Sequence, residues 1–161
     1  MFKKYLSNIN NIKFSNLAVF NNKDEAKYEE NLEFTATDYS SFSGNQMLVP
    51  INAFNKNLHV PKRVRNRKLS FEISRGYLDI DEVEIKLQGN LKIEYIPESI
   101  KVASEFGTYE ISLTKKDEYT YNYKRTLQIN EGKFPKEKYD AYRKFRKQIR
   151  KYDNSKIILI K

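Results

Sequence analysis

Hydrophobic and polar positions alternate with a period of two through most of this chain and change to a helical period near its end. Leu32, Phe34 and Ala36 alternate with Glu33 and Thr35, as in a strand with one buried face. Leu69, Phe71 and Ile73 repeat the pattern until Gly76 breaks it. From Asp81, the set Val83, Ile85 and Leu87 opposes Glu82, Glu84 and Lys86; a Gln88-Gly89-Asn90 turn and then Leu91, Ile93 and Tyr95 complete a predicted hairpin. A second hairpin is predicted from Tyr109, Ile111 and Leu113, across the polar link Lys115 to Glu118, to a long strand bearing Tyr119, Tyr121, Tyr123, Leu127 and Ile129.

Two regions are less regular. Residues 40–57 are rich in Ser, Asn and Gln and hold Gly44 and Pro50, so they read mostly as loop, with Met47, Leu48, Val49 and Ile51 as a short buried strand inside it. In the first 25 residues, Ile12, Phe14, Leu17, Val19 and Phe20 suit either one strand that completes a sheet or a lead-in from an upstream region.

The period then changes. Pro135 fits a first helical turn, and Tyr139, Tyr142, Phe145, Ile149 and Tyr152 recur at spacings of three and four, which predicts a helix over about residues 135–152 with Lys and Arg on its other face. After Asp153-Asn154-Ser155 the apolar run Ile157 to Ile160 has the length of a buried strand, at about 156–160, that returns to pair with the sheet. The expected fold is mostly β (α+β): one antiparallel β-sandwich-like domain over residues 1–161, with a single C-terminal amphipathic α-helix followed by a final strand.

Composition agrees with that architecture. A chain of 161 residues can bury a core without metal or disulfide staples. Its 12 Tyr and 10 Phe, with no Trp, suit side chains half buried on a pleated surface. Arg125 falls on the apolar side of its strand, where its stem can lie on the sheet with the guanidinium paired or at the edge; an arginine that binds a ligand is the alternative.

Candidate chemistry is sparse. With no Cys, disulfides, thiolate metal sites and cysteine nucleophiles are excluded. His59 is the one histidine, it sits in a loop-like setting beside Pro61, and no nucleophile elbow accompanies it, so it reads as a surface residue. A zinc site would need further nitrogen or sulfur ligands. The stretch Asp79 to Glu84 lacks the glycine turn and distal Glu of a calcium loop, and alternation explains Glu82 and Glu84 as a solvent face. The five glycines form no phosphate cradle. No catalytic, cofactor-binding or metal residue is therefore expected.

The net charge of +9 is concentrated in two places. Five of the seven residues from Lys62 to Lys68 are basic, and residues 134–161 carry ten Lys or Arg against three acids. Lys62, Arg63, Arg65, Arg67 and Lys68 are thus the candidate anion-binding residues. With the basic helix face they suit phosphate electrostatics, as for nucleic acid, or an anionic lipid or acidic protein; a solvated surface is the plainer reading. The helix keeps its aromatics on the core-facing stripe, so stacking platforms for single-stranded nucleic acid are not evident.

The second half also carries a recognisable series. It runs RNRKLSFEISRGYLDIDEVEIKL, then IEYIPESIKVASEFGTYEISL, then YKRTLQINEGKFPKEKYDAYRKFRKQIRKYDNSKIILIK. Its most specific parts are Glu105-Phe106-Gly107-Thr108-Tyr109, Tyr123-Lys124-Arg125, and Gly132-Lys133-Phe134-Pro135 leading into Tyr139 and Phe145. This pattern, over about residues 67–161, resembles the C-terminal β domain of unknown function of bacterial, Bacteroidetes-type, transglutaminase-like and protease-like proteins. A proline and a longer glycine turn are common in that family where this chain has Gln88-Gly89-Asn90.

The resemblance implies a non-catalytic accessory domain that supports or packs against a transglutaminase-like core in the same polypeptide or complex. The family's Cys, His and Asp triad belongs to that core, so no catalytic residue carries over. Acidic peptide or glycan would be further partners, and the periplasm or cell surface the location. If the chain is complete as given, the polar residues after Lys3 and Lys4 leave no signal-peptide core and the cytoplasm is expected. No stretch reaches the roughly 20 apolar residues of a membrane span. The alternative function is a stand-alone binding module for nucleic acid or another anionic partner.

Overall fold

The structure, a computed structural model, describes residue 6, residues 9–87 and residues 91–160. Its strands are β1 (Ile12–Asn22), β2 (Lys27–Ala36), β3 (Ser41–Ser43), β4 (Gln46–Pro50), β5 (Phe71–Ile73), β6 (Tyr77–Lys86), β7 (Lys92–Tyr95), β8 (Ile100–Ser104), β9 (Gly107–Lys115), β10 (Thr120–Ile129) and β11 (Gly132–Phe134). A 3-10 turn, Lys136–Lys138, then leads into α1 (Tyr139–Asp153), and β12 (Lys156–Ile160) follows. The helix and final strand lie where the sequence periodicity predicts them.

Alternation along β10 sends Tyr121, Tyr123, Arg125, Leu127 and Ile129 inward, and all five are buried. The strand pairs antiparallel on both sides, in a sheet of order β6-β10-β9-β8. A second four-stranded antiparallel sheet has the order β3-β4-β12-β7, with the apolar β12 paired on both edges and Ile157 and Leu159 fully buried. The two sheets contribute to one core, in which Tyr109, Ile111, Tyr123 and Leu127 join Ile157 and Leu159, as expected for a sandwich-like fold.

Helix α1 closes that core with Phe145 and Ile149. Tyr142 stacks on Phe71 of the small β11-β5 ribbon at 5.3 Å, and Phe106 meets Phe134 edge-on at 4.9 Å. Each such buried aromatic or aliphatic side chain contributes about 1.5–3 kcal/mol. The approach of β9 to β10 is close enough at Gly107 (φ 143°) that a Cβ there would lie 2.0 Å from the Gln128 carbonyl oxygen, so only glycine fits.

Two expectations are corrected. The runs from Val83 to Leu87 and from Leu91 to Tyr95 do not form a hairpin: β6 pairs with β10, Val83 opposite Tyr123, whereas β7 pairs with β12 in the other sheet. Periodicity specifies which face of a strand is buried but not which neighbour it takes, and the central strands β10 and β12 each need two neighbours. The intervening Gln88-Gly89-Asn90 turn lies outside the described residues. Residues 40–57 hold the expected short strand, β4, but also β3, which pairs with it around Gly44 at φ 59°; the exposed, polar edge strand hides this hairpin. In the first 25 residues, the run from Ile12 to Phe20 does form one strand, β1, and it pairs with β2 in a separate two-stranded ribbon.

Candidate functional site

The inward position of Arg125 demands anionic partners, because a guanidinium stripped of water costs several kcal/mol unless paired. Two carboxylates meet it. Asp81 lies directly opposite on β6 and accepts from Nη1 at 2.7 Å. Asp153, the last residue of α1, accepts from Nε at 2.8 Å through Oδ1 and from Nη2 at 3.1 Å through Oδ2. Arg125 and Asp153 are both fully buried, and their two-point contact uses the planar geometry that distinguishes Arg from Lys. Burial alone would lower the arginine's pKa, but the hydrogen bonds and charge of Asp153, then those of Asp81, raise it above its ordinary value.

Asp153 accepts three further donors. The Tyr109 hydroxyl donates to Oδ1 at 2.7 Å, Asn52 Nδ2 to Oδ1 at 3.2 Å, and the Asn57 backbone N–H to Oδ2 at 2.7 Å. Burial, followed by the charge of Asp153, pushes the Tyr109 hydroxyl far up. Asp81 also accepts from Asn55 Nδ2. The cluster therefore ties β6, β9, β10, the end of α1 and the loop after β4 into one knot. Five donors saturate the Asp153 carboxylate, so it has no free lone pair for a substrate proton, and its chemistry is that of a structural bolt. No buried side-chain polar atom among the described residues lacks a partner.

The same loop is clamped along α1. The Tyr139 hydroxyl donates to the Lys62 carbonyl at 2.9 Å, Arg143 Nε to the Pro61 carbonyl at 2.9 Å, and Arg146 Nε to the His59 carbonyl at 3.3 Å. Arg146 also donates to Asn57 Oδ1, and Asn57 Nδ2 to the Tyr77 hydroxyl at 3.0 Å. Part of the basic helix face thus binds the chain's own backbone, whereas the sequence suggested that this face pointed outward.

Of the five candidate anion-binding residues, Lys62, Arg63, Arg65 and Lys68 are exposed on this clamped loop. Arg67 is instead turned in: its guanidinium carbon lies 4.2 Å from the Tyr139 ring centroid, and it donates to the carbonyls of Leu69 at 2.9 Å and Ser70 at 3.2 Å. The imidazole of His59 is exposed. Glu82 and Glu84 face solvent and pair with Lys124 and Lys116 at 2.5 and 2.7 Å. Asp79 and Asp81 are in phase with the inward Val83, a signal that points to acid inside the sheet. Asp153, four residues after buried Ile149, gives the corresponding signal in the helix.

Elsewhere, an apolar cleft of about 350 Å³ opens between Phe34, Tyr39, Val49 and Val83. Burial pushes the Tyr39 hydroxyl up to about 12, and it donates to the Pro50 carbonyl at 2.7 Å. No group of three or more His, Asp or Glu side chains converges as a metal site, and no helix is long and apolar enough to cross a membrane, among the described residues.

Comparison with known families finds a match to a domain of unknown function, DUF3858, over residues 45–159. No curated protein and no solved structure matches the chain. The matched region holds β4 to β11, α1 and most of β12, and with them the whole Arg125–Asp153–Asp81 knot; the β1-β2 ribbon lies outside it.

Proposed function

This chain belongs to the DUF3858 family of domains of unknown function, and we propose that it serves as a non-catalytic accessory domain that packs against a transglutaminase-like core in the same polypeptide or complex. The observation that carries this reading is the uncovered face of the β1-β2 ribbon. Phe14, Leu17 and Val19 of β1 share one face with Leu32, Phe34 and Tyr28 of β2, and 40–59% of Phe14, Leu17, Val19 and Tyr28 remains exposed. Among the described residues, the ring of Phe54 lies 6.2 Å from Phe34, and Phe34 also borders the apolar cleft with Tyr39, Val49 and Val83, while the β1 side of the face stays exposed.

A two-stranded ribbon is marginal by itself, and an apolar face of this kind gains from burial against another body. The family-matched region has its own core without the ribbon, which fits an element made for contact. The buried charges support the non-catalytic part of the proposal, since the knot spends Arg125 and Asp153 on folding. On this reading the intact protein works in the periplasm or at the cell surface.

Two measurements test it. The purified chain should neither cleave nor cross-link peptide substrates, and reproducible turnover would sink the proposal. A transglutaminase-like core from the same genome should bind the chain, and Leu17→Glu with Val19→Glu should abolish that binding without moving the Tm of the family-matched region. Failure of any such core to bind, or binding indifferent to both substitutions, removes the reading.

A further inference from the structure

Four lysines of the β6-β10-β9-β8 sheet and the ribbon are matched with acids: Lys27 with Glu29 at 2.8 Å, Lys86 with Glu84 at 3.0 Å, Lys101 with Glu110 at 3.2 Å and Lys124 with Glu82 at 2.5 Å. On the loop clamped to α1 the pattern reverses. Lys62, Arg63, Arg65 and Lys68 are exposed, and no Asp or Glu among the described residues lies within ion-pair distance of them. Lys147 and Arg150 lie one helical turn beyond Arg143 and Arg146 and are also exposed, so the loop and this side of α1 bring together cations that the sequence keeps about 80 residues apart.

Exposed aliphatic side chains stand among these cations. Leu69 is 76% exposed, the highest value for any large hydrophobic side chain among the described residues, and Val64 is 42% exposed and Leu58 39%. The backbone that carries them is held by Tyr139, Arg143, Arg146 and Arg67, so the loop presents them from a fixed frame. Residues 57–70 include no Phe, Tyr or Trp on which a base could stack, and the one aromatic ring among them is the imidazole of His59.

We infer that this loop, with the adjoining side of α1, is a peripheral docking surface for an anionic lipid bilayer. Lys62, Arg63, Arg65 and Lys68 meet headgroup phosphates while Val64 and Leu69 enter the boundary of the acyl region. A bilayer is the surface that offers phosphates and hydrocarbon in adjacent layers. Nucleic acid offers the phosphates but gives Leu69 no apolar layer to enter. The inference is independent of the ribbon-based proposal, because it uses a different surface and its test needs no catalytic core.

The test uses the full chain and sedimentation with vesicles of phosphatidylcholine, with and without phosphatidylglycerol. Binding is expected only when phosphatidylglycerol is present, and it should fall steeply with added salt. Each cation near such a surface contributes roughly fivefold in partitioning. Reversal of Lys62, Arg63, Arg65 and Lys68 to Glu should therefore reduce binding more than about a hundredfold. Val64→Asp with Leu69→Asp should reduce it about tenfold or more, with the Tm unchanged because both side chains are exposed. Absence of binding to phosphatidylglycerol vesicles at low salt overturns the inference, and so does binding indifferent to the Val64 and Leu69 substitutions. Tighter binding to duplex DNA than to the vesicles, also indifferent to those two substitutions, overturns it in favour of nucleic acid.

Discussion

Arg125 and Asp153 meet in a two-point fork, Nε to Oδ1 at 2.8 Å and Nη2 to Oδ2 at 3.1 Å, with both side chains out of solvent. The contact joins the middle of the central strand β10 to the end of α1. Removal of one partner leaves the other charged, dry and only partly compensated, which costs about 3–5 kcal/mol. Asp153→Ala should lower unfolding stability by that amount in a denaturant titration, because Arg125 keeps only Asp81 and the Tyr109 hydroxyl also loses its acceptor. The double substitution Arg125→Met with Asp153→Leu should cost much less than the two single changes added together, since it removes both buried charges and retains apolar volume.

Asp79 gives a pH test with a defined sign. Burial raises its pKa above the ordinary carboxylate value, and the charges of Asp81 and Asp153 add to that, while Arg125 opposes it. A carboxyl whose folded pKa is raised contributes stability that is fully present below its unfolded pKa and is lost as pH rises through the folded value. Asp79→Asn, which stays neutral, should therefore raise Tm at neutral pH. That gain should shrink to nothing as the pH is lowered through about 4, where the wild-type carboxyl is protonated in both states. A gain that persists at acid pH would assign the effect to something other than charge.

How much of this was legible in the sequence depended on whether the signal was local. Tyr142, Phe145 and Ile149 announce α1 through their own spacing, and the β9-β10 hairpin follows from two adjacent alternating runs. Pairing between distant strands leaves no such trace, so β6 and β7 could be read as neighbours although they belong to different sheets. Arg125 shows the same limit. Its inward phase made a partner necessary, but Asp153 lies 28 residues away and Asp81 lies 44, so only the fold could choose them. Basic residues on α1 were ambiguous for another reason: Arg143 and Arg146 look like solvent-face residues by type, yet their targets are backbone carbonyls of a loop more than 80 residues distant.

Arg146 is the centre of that clamp. It is 7% exposed and reaches both the His59 carbonyl and Asn57 Oδ1. Hydrogen bonds to a charged group contribute about 1.5–3 kcal/mol each when their partners have no substitute. Arg146→Ala should cost a few kcal/mol at most, because water can reach the freed loop carbonyls, and its main effect should be local. Amide exchange over residues 57–62 and trypsin cleavage after Lys62 and Arg63 should accelerate together. Exchange in β9 and β10 should change far less.

The β1-β2 ribbon shows how a local irregularity repairs an alternation that is out of phase. Phe14 and Leu17 are three residues apart and would fall on opposite faces of a regular strand. Their partners Phe34 and Leu32 are two apart, and the register shift between Phe14 and Asn16 absorbs Ser15 as the extra residue. Ile12 and Phe14 thereby share a face with Leu17 and Val19. Deletion of Ser15 should leave the same side chains opposite each other in a regular ladder, with the Phe14–Phe34 and Leu17–Leu32 pairs retained as cross-strand NMR contacts and Tm nearly unchanged. Deletion of Ala18, three residues further on, has no bulge to absorb it. It should put Val19 opposite Asn31 on the polar face, break the pairing from Val19 to the turn while Phe14–Phe34 and Leu17–Leu32 persist, and lower the ribbon's protection from amide exchange.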